Sequence, residues 1–537
     1  MSKQMKTPGV YIVEKEAFPN SIFPVPTSIP AFIGYTRNTS YGDKILLNKA
    51  IEINSFADFL EIFGKEAPLI KFDIDDSPTD NHDFTLGDNN DTFAFKPTGP
   101  TYRMHSALWF FYQNGGGKCT IISVGDYDSP LSLNALKTGI KALEKENEPT
   151  LLLIPDAIDL MDPKHTKLKD RYAAAYALQA DMINHCGAMG NRMAILDIPR
   201  GYWGPIANPL ESIIAFRENV NPIQATYNSY AAAYCPWLYT NLYQESALSV
   251  ANLSDNALIK VDSLLKIEAA KLEYEDAKGS FLRLTADLTS QAAAEGADEL
   301  PKEKSNLSEE EKLRNKRERQ KNAHQSLLQI SNDYKLIISA LLKKINLMPP
   351  AAAMAGIYTL GDNNRGVWQA PANVSINGVI ASAINITPEM QEDLNVPLSG
   401  QAINAIRTFI GQGVLVWGVR TLDGNSQDWR YISVRRTAIY LEQSIKLGLQ
   451  AYIFAPNDAN TWVTINSLVS NFLNEIWKRG GLMGSTPANA YSVAVGLGST
   501  MTAEDIFNGI LRVSVKVAIS HPAEFIELSF MQEMEKS

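Results

Sequence analysis

Cysteine is scarce in this chain. Cys119, Cys186 and Cys235 are the only three in 537 residues, and no two stand close enough for a CxxC clip. That excludes a disulfide framework and a cysteine-based zinc site, and it leaves burial in a reducing compartment as the reading for each thiol. Histidine is nearly as scarce: six residues show no HxxxH or HExxH pairing, so no metal site and no cofactor are expected. A basic surplus is absent too, since 49 Lys and Arg stand against 59 Asp and Glu. The formal charge of -10 argues against direct nucleic-acid binding, which requires a basic surface. No run approaches the roughly 20 apolar residues that span a bilayer, so membrane insertion by this chain is not expected. The opening MSKQMKTPG has no apolar signal core, which implies synthesis in the cytoplasm.

Catalytic patterns are missing as well. GGGK at 115–118 invites a nucleotide-binding reading, but Tyr112 stands where a P-loop needs its first glycine. The order is also reversed, because a helix precedes the glycines and a strand follows, which favours helix termination over phosphate binding. The acidic stretch DIDDSPTDNHDFTLGDNND (73–91) lacks the spacing of a calcium loop and reads as a solvated loop.

What is present is a chain long enough for two to four domains, 45% hydrophobic and 20% charged as in ordinary globular proteins. AFIGYT (31–36), CTIISV (119–124), LLLIPDA (151–157) and MAILDIP (193–199) read as buried strands. With helices over 107–112 and 171–186 between them, they imply an α/β layer with some parallel pairing. Residues 255–347 change character and read as an antiparallel helical hairpin. Ser308 and Glu311 form a capping box ahead of a mixed-charge face, and apolar residues follow from Leu327. Farther on, 401–422 reads as helix, glycine turn and strand, 433–454 as helix then strand, and 460–484 as an amphipathic helix.

The termini share an extended character. TPGVYIVE near the start carries Val10, Tyr11, Ile12 and Val13, and the prolines from 19 to 30 prevent it from continuing into its own sheet. RVSVKVAIS (512–520) alternates strictly through Val513, Val515, Val517 and Ile519. EFIELSFMQ (524–532) alternates again through Ile526, Leu528 and Phe530.

Residues 348–373, MPPAAAMAGIYTLGDNNRGVWQAPAN, resemble a hallmark segment of contractile tail sheath proteins, the subunits of the outer cylinder of myophage tails, R-type pyocins and related contractile injection systems. The pattern is carried by Pro349, Pro350, Ala355, Gly356, Tyr358, Asp362, Arg365, Gly366, Val367, Trp368, Ala370, Pro371, Ala372 and Asn373. NAIRTFIGQGVLVWGVRTL, YISVRRTAIYLEQSI and the ending from WKRGGLMG to HPAEFIEL agree in order, as does the first segment. The resemblance covers about 1–35, parts of 101–240 and nearly all of 348–532, and leaves 73–91 and 255–347 outside as outward-facing insertions.

The resemblance implies a mixed α/β, multi-domain subunit that is not an enzyme. Its parts are an N-terminal linking arm (1–35), an outer α/β domain (36–254), the helical insertion (255–347), a C-terminal sheath core (348–522) and a C-terminal linking strand (523–537). It implies polymerisation of the chain with itself, six subunits to a layer, around an inner tube protein, with baseplate and terminal cap proteins at the ends. Assembly would occur in the bacterial cytoplasm, as part of a phage tail-like particle. Val10 to Val13 and Phe525, Ile526, Leu528 and Phe530 would be inter-subunit linking strands, added by β-augmentation to a receiving strand at Val513, Val515, Val517 and Ile519. The inner tube would meet the polar side of helix 460–480, at Asn466, Asn471, Asn474 and Lys478. An injection system is favoured over a myophage tail, and a nucleotide-binding enzyme is the alternative of another class.

Overall fold

The computed structural model describes residues 21–78, 82–87, 89–202, 208, 210–289 and 308–527. They divide into a large unit, Pro26–Arg436 with the segment from Pro522, and a small unit, Thr437–His521 with the segment up to Val25. The boundary therefore falls at 436/437, whereas the hallmark segment was expected to open a domain at 348.

The large unit is built on a nine-stranded sheet. Its strands are β1 (Pro30–Gly34), β2 (Ala50–Ile53), β3 (Cys119–Ser123), β4 (Leu151–Leu153), β5 (Met193–Asp197), β6 (Ala231–Cys235), β7 (Val374–Ser375), β8 (Asn404–Phe409) and β9 (Gly413–Val416), in the order β7-β9-β8-β6-β5-β4-β1-β3-β2. From β8 to β3 all neighbours are parallel, with Ala31 opposite Leu152 and Ala194 opposite Ala231, and antiparallel strands close both ends. The four apolar runs named above are β1, β3, β4 and β5. They read as continuous because both faces are covered. Ala31, Ile33, Leu152, Ala194 and Leu196 pack with Tyr176, Leu178 and Met182 of helix Ala173–Met189. Phe32, Ile121, Leu153, Ile195 and Tyr234 pack with helices Met104–Gln113 and Ala351–Arg365. All three cysteines are buried in these layers, as expected.

The hallmark segment turns out to be packing and anchoring. Every residue from Ala351 to Thr359 is buried. A Cβ on Gly356 would stand 2.5 Å from the Phe111 carbonyl oxygen, so only glycine lets the two helices approach this closely. The Tyr358 and Tyr234 hydroxyls share a hydrogen bond of 2.8 Å. Asp362 receives Arg436 Nη1 at 3.0 Å and Nη2 at 2.5 Å, with both side chains only 4% exposed.

Two expectations are corrected. The stretch 73–91 is not a plain loop: Phe72–Asp75 and Phe84–Leu86 flank Asp91–Pro97 in an antiparallel three-stranded sheet. Phe72, Ile74, Phe84, Leu86, Phe93 and Phe95 turn inward, and the aspartates between them mask the alternation. The insertion 255–347 is not one hairpin but holds four described helices: α1 (Asp255–Ala270), α2 (Glu275–Thr289), α3 (Glu309–Ile330) and α4 (Asn332–Ile345). The predicted capping box at Ser308 and Glu311 is present. Ser331 makes the unforeseen break, since its N–H closes α3 on the Leu327 carbonyl and its Oγ accepts the Tyr334 N–H to start α4. Val261, Leu265, Leu327, Ile337 and Leu341 share one core with the three-stranded sheet, so the two insertions form a single module.

The segment 401–422 is also corrected. It forms the β8–β9 hairpin, with Phe409 opposite Gly413 and the turn glycines Gly411 and Gly413 at φ 77° and 81°. The β-branched and aromatic residues Ile406, Thr408 and Phe409 suit a strand better than the helix they were assigned.

Two measurements follow. Phe95→Ala should cost about 3–5 kcal/mol in denaturant unfolding and speed hydrogen exchange in α1 and α4 as well as in the sheet. Faster exchange confined to the sheet would show that the insertions fold separately. Asp362→Asn should cost about 3–5 kcal/mol by stranding the buried Arg436 charge. An unchanged denaturation midpoint would contradict that anchoring role.

Candidate assembly surface

The small unit gathers helix α5 (Ile432–Leu449) from Thr437 onward, α6 (Ala459–Lys478), and two strands, β10 (Tyr491–Val495) and β11 (Val513–Val517). Asp458 caps α6 by accepting the Thr461 N–H at 2.9 Å. Ile465, Leu468, Val469, Phe472, Leu473 and Ile476 bury its apolar face, at the expected spacing. The strand expected at the end of 433–454 is not formed, and Gln450–Tyr452 is a short 3-10 turn. Ile22 is buried against α5, where a Cβ on Gly448 would stand 2.6 Å from Ile22 Cγ1, and Val25 N–H donates to Ser444 Oγ at 3.2 Å. Residues 22–25 are thereby fixed to this unit.

β10 and β11 pair antiparallel, with Val493 opposite Val515. Ala518 N–H donates to the Ala490 carbonyl at 2.8 Å, and this bond sets the alternation of the ladder. Ser514 and Lys516 turn their backbone groups toward Ala494 and Ser492 of β10, while Val513, Val515 and Val517 turn theirs away. Asn466 Nδ2 of α6 donates to the Val493 carbonyl at 2.9 Å and so occupies part of the outer edge of β10. Among the described residues nothing takes the outward N–H and C=O groups of Val513, Val515 and Val517. The turn leading into β11 is held by Asp505. Its carboxyl is lowered to about 2, first by the Thr502 backbone N–H and then by Arg512 Nη2 at 3.0 Å.

The predicted site residues are distributed as follows. Val513, Val515 and Val517 form the open edge. Ile519 lies beyond the strand, buried and bridged to Leu482. Asn471 and Lys478 are exposed on α6 and Asn474 is half-buried, but Asn466 turns inward, its amide engaged by β10. Phe525 and Ile526 are exposed and outside any strand. Val10, Tyr11, Ile12, Val13, Leu528 and Phe530 lie outside the described residues. The role of Asn466 was missed because a polar residue on an amphipathic helix reads as solvent-facing.

In the large unit, the 115–118 segment ends helix Met104–Gln113 and leads into β3, as the order of elements implied. Lys118 Nζ stands 3.1 Å from Glu52 and 2.7 Å from Glu148, so carboxylates occupy its ammonium. Among the described residues no cluster of His, Cys, Asp and Glu could hold a metal ion, and no helix is long and apolar enough to cross a membrane.

Residues 425–532 match the family model for the phage tail sheath C-terminal domain. A tail sheath protein of Vibrio phage KVP40 is 24% identical over 153 residues, 28% of this chain and 23% of the relative, so the match spans about a quarter of that protein's length. Three solved structures are similar over nearly the whole chain. They are the contracted PVC sheath complex of an extracellular contractile injection system (23% identity, 99% of each chain, TM-score 0.54), the contracted helical sheath of the anti-feeding prophage (24%, 98% and 100%, TM-score 0.55), and the anti-feeding prophage baseplate in its contracted state (21%, 99% and 100%, TM-score 0.60). Residues 425–532 thus match a phage tail sheath C-terminal domain, and the fold of the chain as a whole is similar to that of solved contractile sheath subunits.

Proposed function

We propose that the chain is the structural subunit of a contractile sheath, which polymerises helically around an inner tube in a metastable extended state and contracts to drive the tube through a target membrane. The observation that carries this reading is the open edge of β11 in a two-stranded sheet. A two-stranded ribbon is marginal alone, and an uncovered edge invites another chain. In the polymer the N-terminal arm of one neighbour, through Val10 to Val13, and the C-terminal arm of another, through Phe525, Ile526, Leu528 and Phe530, complete the sheet. Backbone hydrogen bonds supply the affinity and alternate side chains the register. No nucleotide is consumed, and the stroke draws on interfaces that are better satisfied in the contracted lattice.

The inner tube faces the exposed row of α6 that includes Asn471 and Lys478, with Ser467 and Glu475 on the same face at helical spacing. Layers hold six subunits, baseplate and cap proteins bound the polymer, and assembly takes place in the bacterial cytoplasm. An injection system is favoured over a myophage tail, because the likeness to injection-system sheaths runs along nearly the whole chain while the phage relative matches 28% of it.

Deleting residues 1–17 should leave a folded, soluble subunit with unchanged circular dichroism that no longer sediments as polymer, since the arm belongs to a neighbour's sheet. Hollow cylinders of normal diameter in electron micrographs of the truncated protein would overturn the linking-strand assignment.

A further inference from the structure

The C-terminal segment returns to the large unit at Pro522. Residues 522–527 have no regular secondary structure, and Phe525 and Ile526 are 75% and 81% exposed. Glu524 departs from that pattern. Its side chain is 12% exposed and enters a receptor formed by Arg420, Asn395 and Tyr431. Oε1 accepts from Arg420 Nε at 3.1 Å and Asn395 Nδ2 at 2.6 Å. Oε2 accepts from Arg420 Nη2 at 2.6 Å and the Tyr431 hydroxyl at 3.2 Å. This is a bidentate Arg–carboxylate pair with a further donor on each oxygen.

The receptor is braced independently of its occupant. Asn404 accepts the Arg420 N–H at 2.7 Å and donates to the Arg420 carbonyl at 2.7 Å. Arg420 Nη1 donates to the Asn395 and Gly424 carbonyls at 3.0 and 3.2 Å, which leaves Nε and Nη2 for Glu524. Arg420 is 4% exposed, so without the carboxylate its charge would be buried and underpaired. Among the described residues, every hydrogen bond and ion pair of the segment 522–527 is made by the Glu524 carboxylate.

We propose that Glu524 is a latch that fixes the root of the C-terminal arm to the large unit, and that it is thereby a positioning residue for strand addition. Phe530 lies six residues beyond the latch, so an extended chain carries it no farther than about 20 Å. The latch selects which neighbouring sheets the arm can reach. An arm freed at Glu524 samples many directions and pays the ordering entropy on each encounter. The latch stands on contacts within one chain, and its effect on polymerisation rests on the sheath reading.

The test uses the full chain with Ser537→Cys carrying a fluorophore, the native cysteines being buried. In dilute subunits Glu524→Gln should raise the nanosecond depolarisation amplitude about twofold. It should also raise the critical concentration for polymerisation about tenfold, the scale of one charge-assisted pair. Glu527→Gln, on the exposed neighbour, should leave the depolarisation unchanged. Tyr431→Phe removes one donor without stranding Arg420 and should produce a smaller shift in the same direction, even if Glu524→Gln lowers the melting temperature. Unchanged depolarisation in both Glu524→Gln and Tyr431→Phe would overturn the latch, and a freed arm with normal polymerisation would overturn its positioning role. Failure of the unsubstituted chain to polymerise would count against the sheath reading, and the depolarisation result would still decide the latch.

Discussion

The constraint on which the proposed assembly rests is a backbone one. β11 turns the N–H and C=O groups of Val513, Val515 and Val517 away from its only described partner strand. Such groups cost free energy if they are covered without a hydrogen bond, and they attract other strands if left bare. The other edge of the ribbon is treated differently, because Asn466 reaches from α6 to the Val493 carbonyl. Among the described residues, the small unit therefore presents one edge that is partly occupied and one that is open. In the proposed assembly, that asymmetry gives strand addition a side.

The large unit is tightly packed, which suits the mechanical role proposed for the chain. Its parallel strands are covered on both faces, and small residues bring the layers close: Ala231, Ala232 and Ala233 in β6, and Ala351 to Ala353 with Gly356 in the helix above. Where chain segments distant in sequence meet, buried arginines hold them. Arg436 grips Asp362 and the Thr27 carbonyl, and Arg420 grips Glu524. Each guanidinium is almost fully enclosed, so losing its carboxylate is costly in a way that a surface ion pair would not be. On the proposed sheath reading, a polymer that transmits force through its arms needs their roots held this firmly.

Much of this architecture was legible in the sequence, and the exceptions have physical causes. β1, β3, β4 and β5 of the central sheet stood out because burial on both faces demands continuous apolar runs. The Ser308 capping box and the apolar face of α6 followed from spacing alone. The three-stranded sheet at 72–97 escaped because Asp73 and Asp75 sit between its apolar residues and more Asp and Asn lie in its connections, so composition outweighed the alternation of Phe72 and Ile74. Residues 404–409 were misassigned because apolar spacing in a short segment fits a helix as well as a strand, and only the glycine hairpin decides between them. Ser331 was invisible because capping depends on a local φ/ψ choice that periodicity does not carry. Of the assembly site, the alternation of Val513, Val515 and Val517 marked the strand, but which of its edges is open depends on one hydrogen bond between Ala518 and Ala490. The contribution of Glu524 could not be read at all, since its receptor comes from positions about a hundred residues earlier.

The central claim is that the outward amides of β11 are completed by strands of neighbouring subunits. Residue-resolved hydrogen exchange of Val513, Val515 and Val517, compared between dilute subunits and the polymer, tests it directly. The account predicts that these amides exchange about a hundredfold or more slowly in the polymer, while Phe507 and Asn508, outside the strand, change little. Equal exchange of the three valine amides in both states would contradict it.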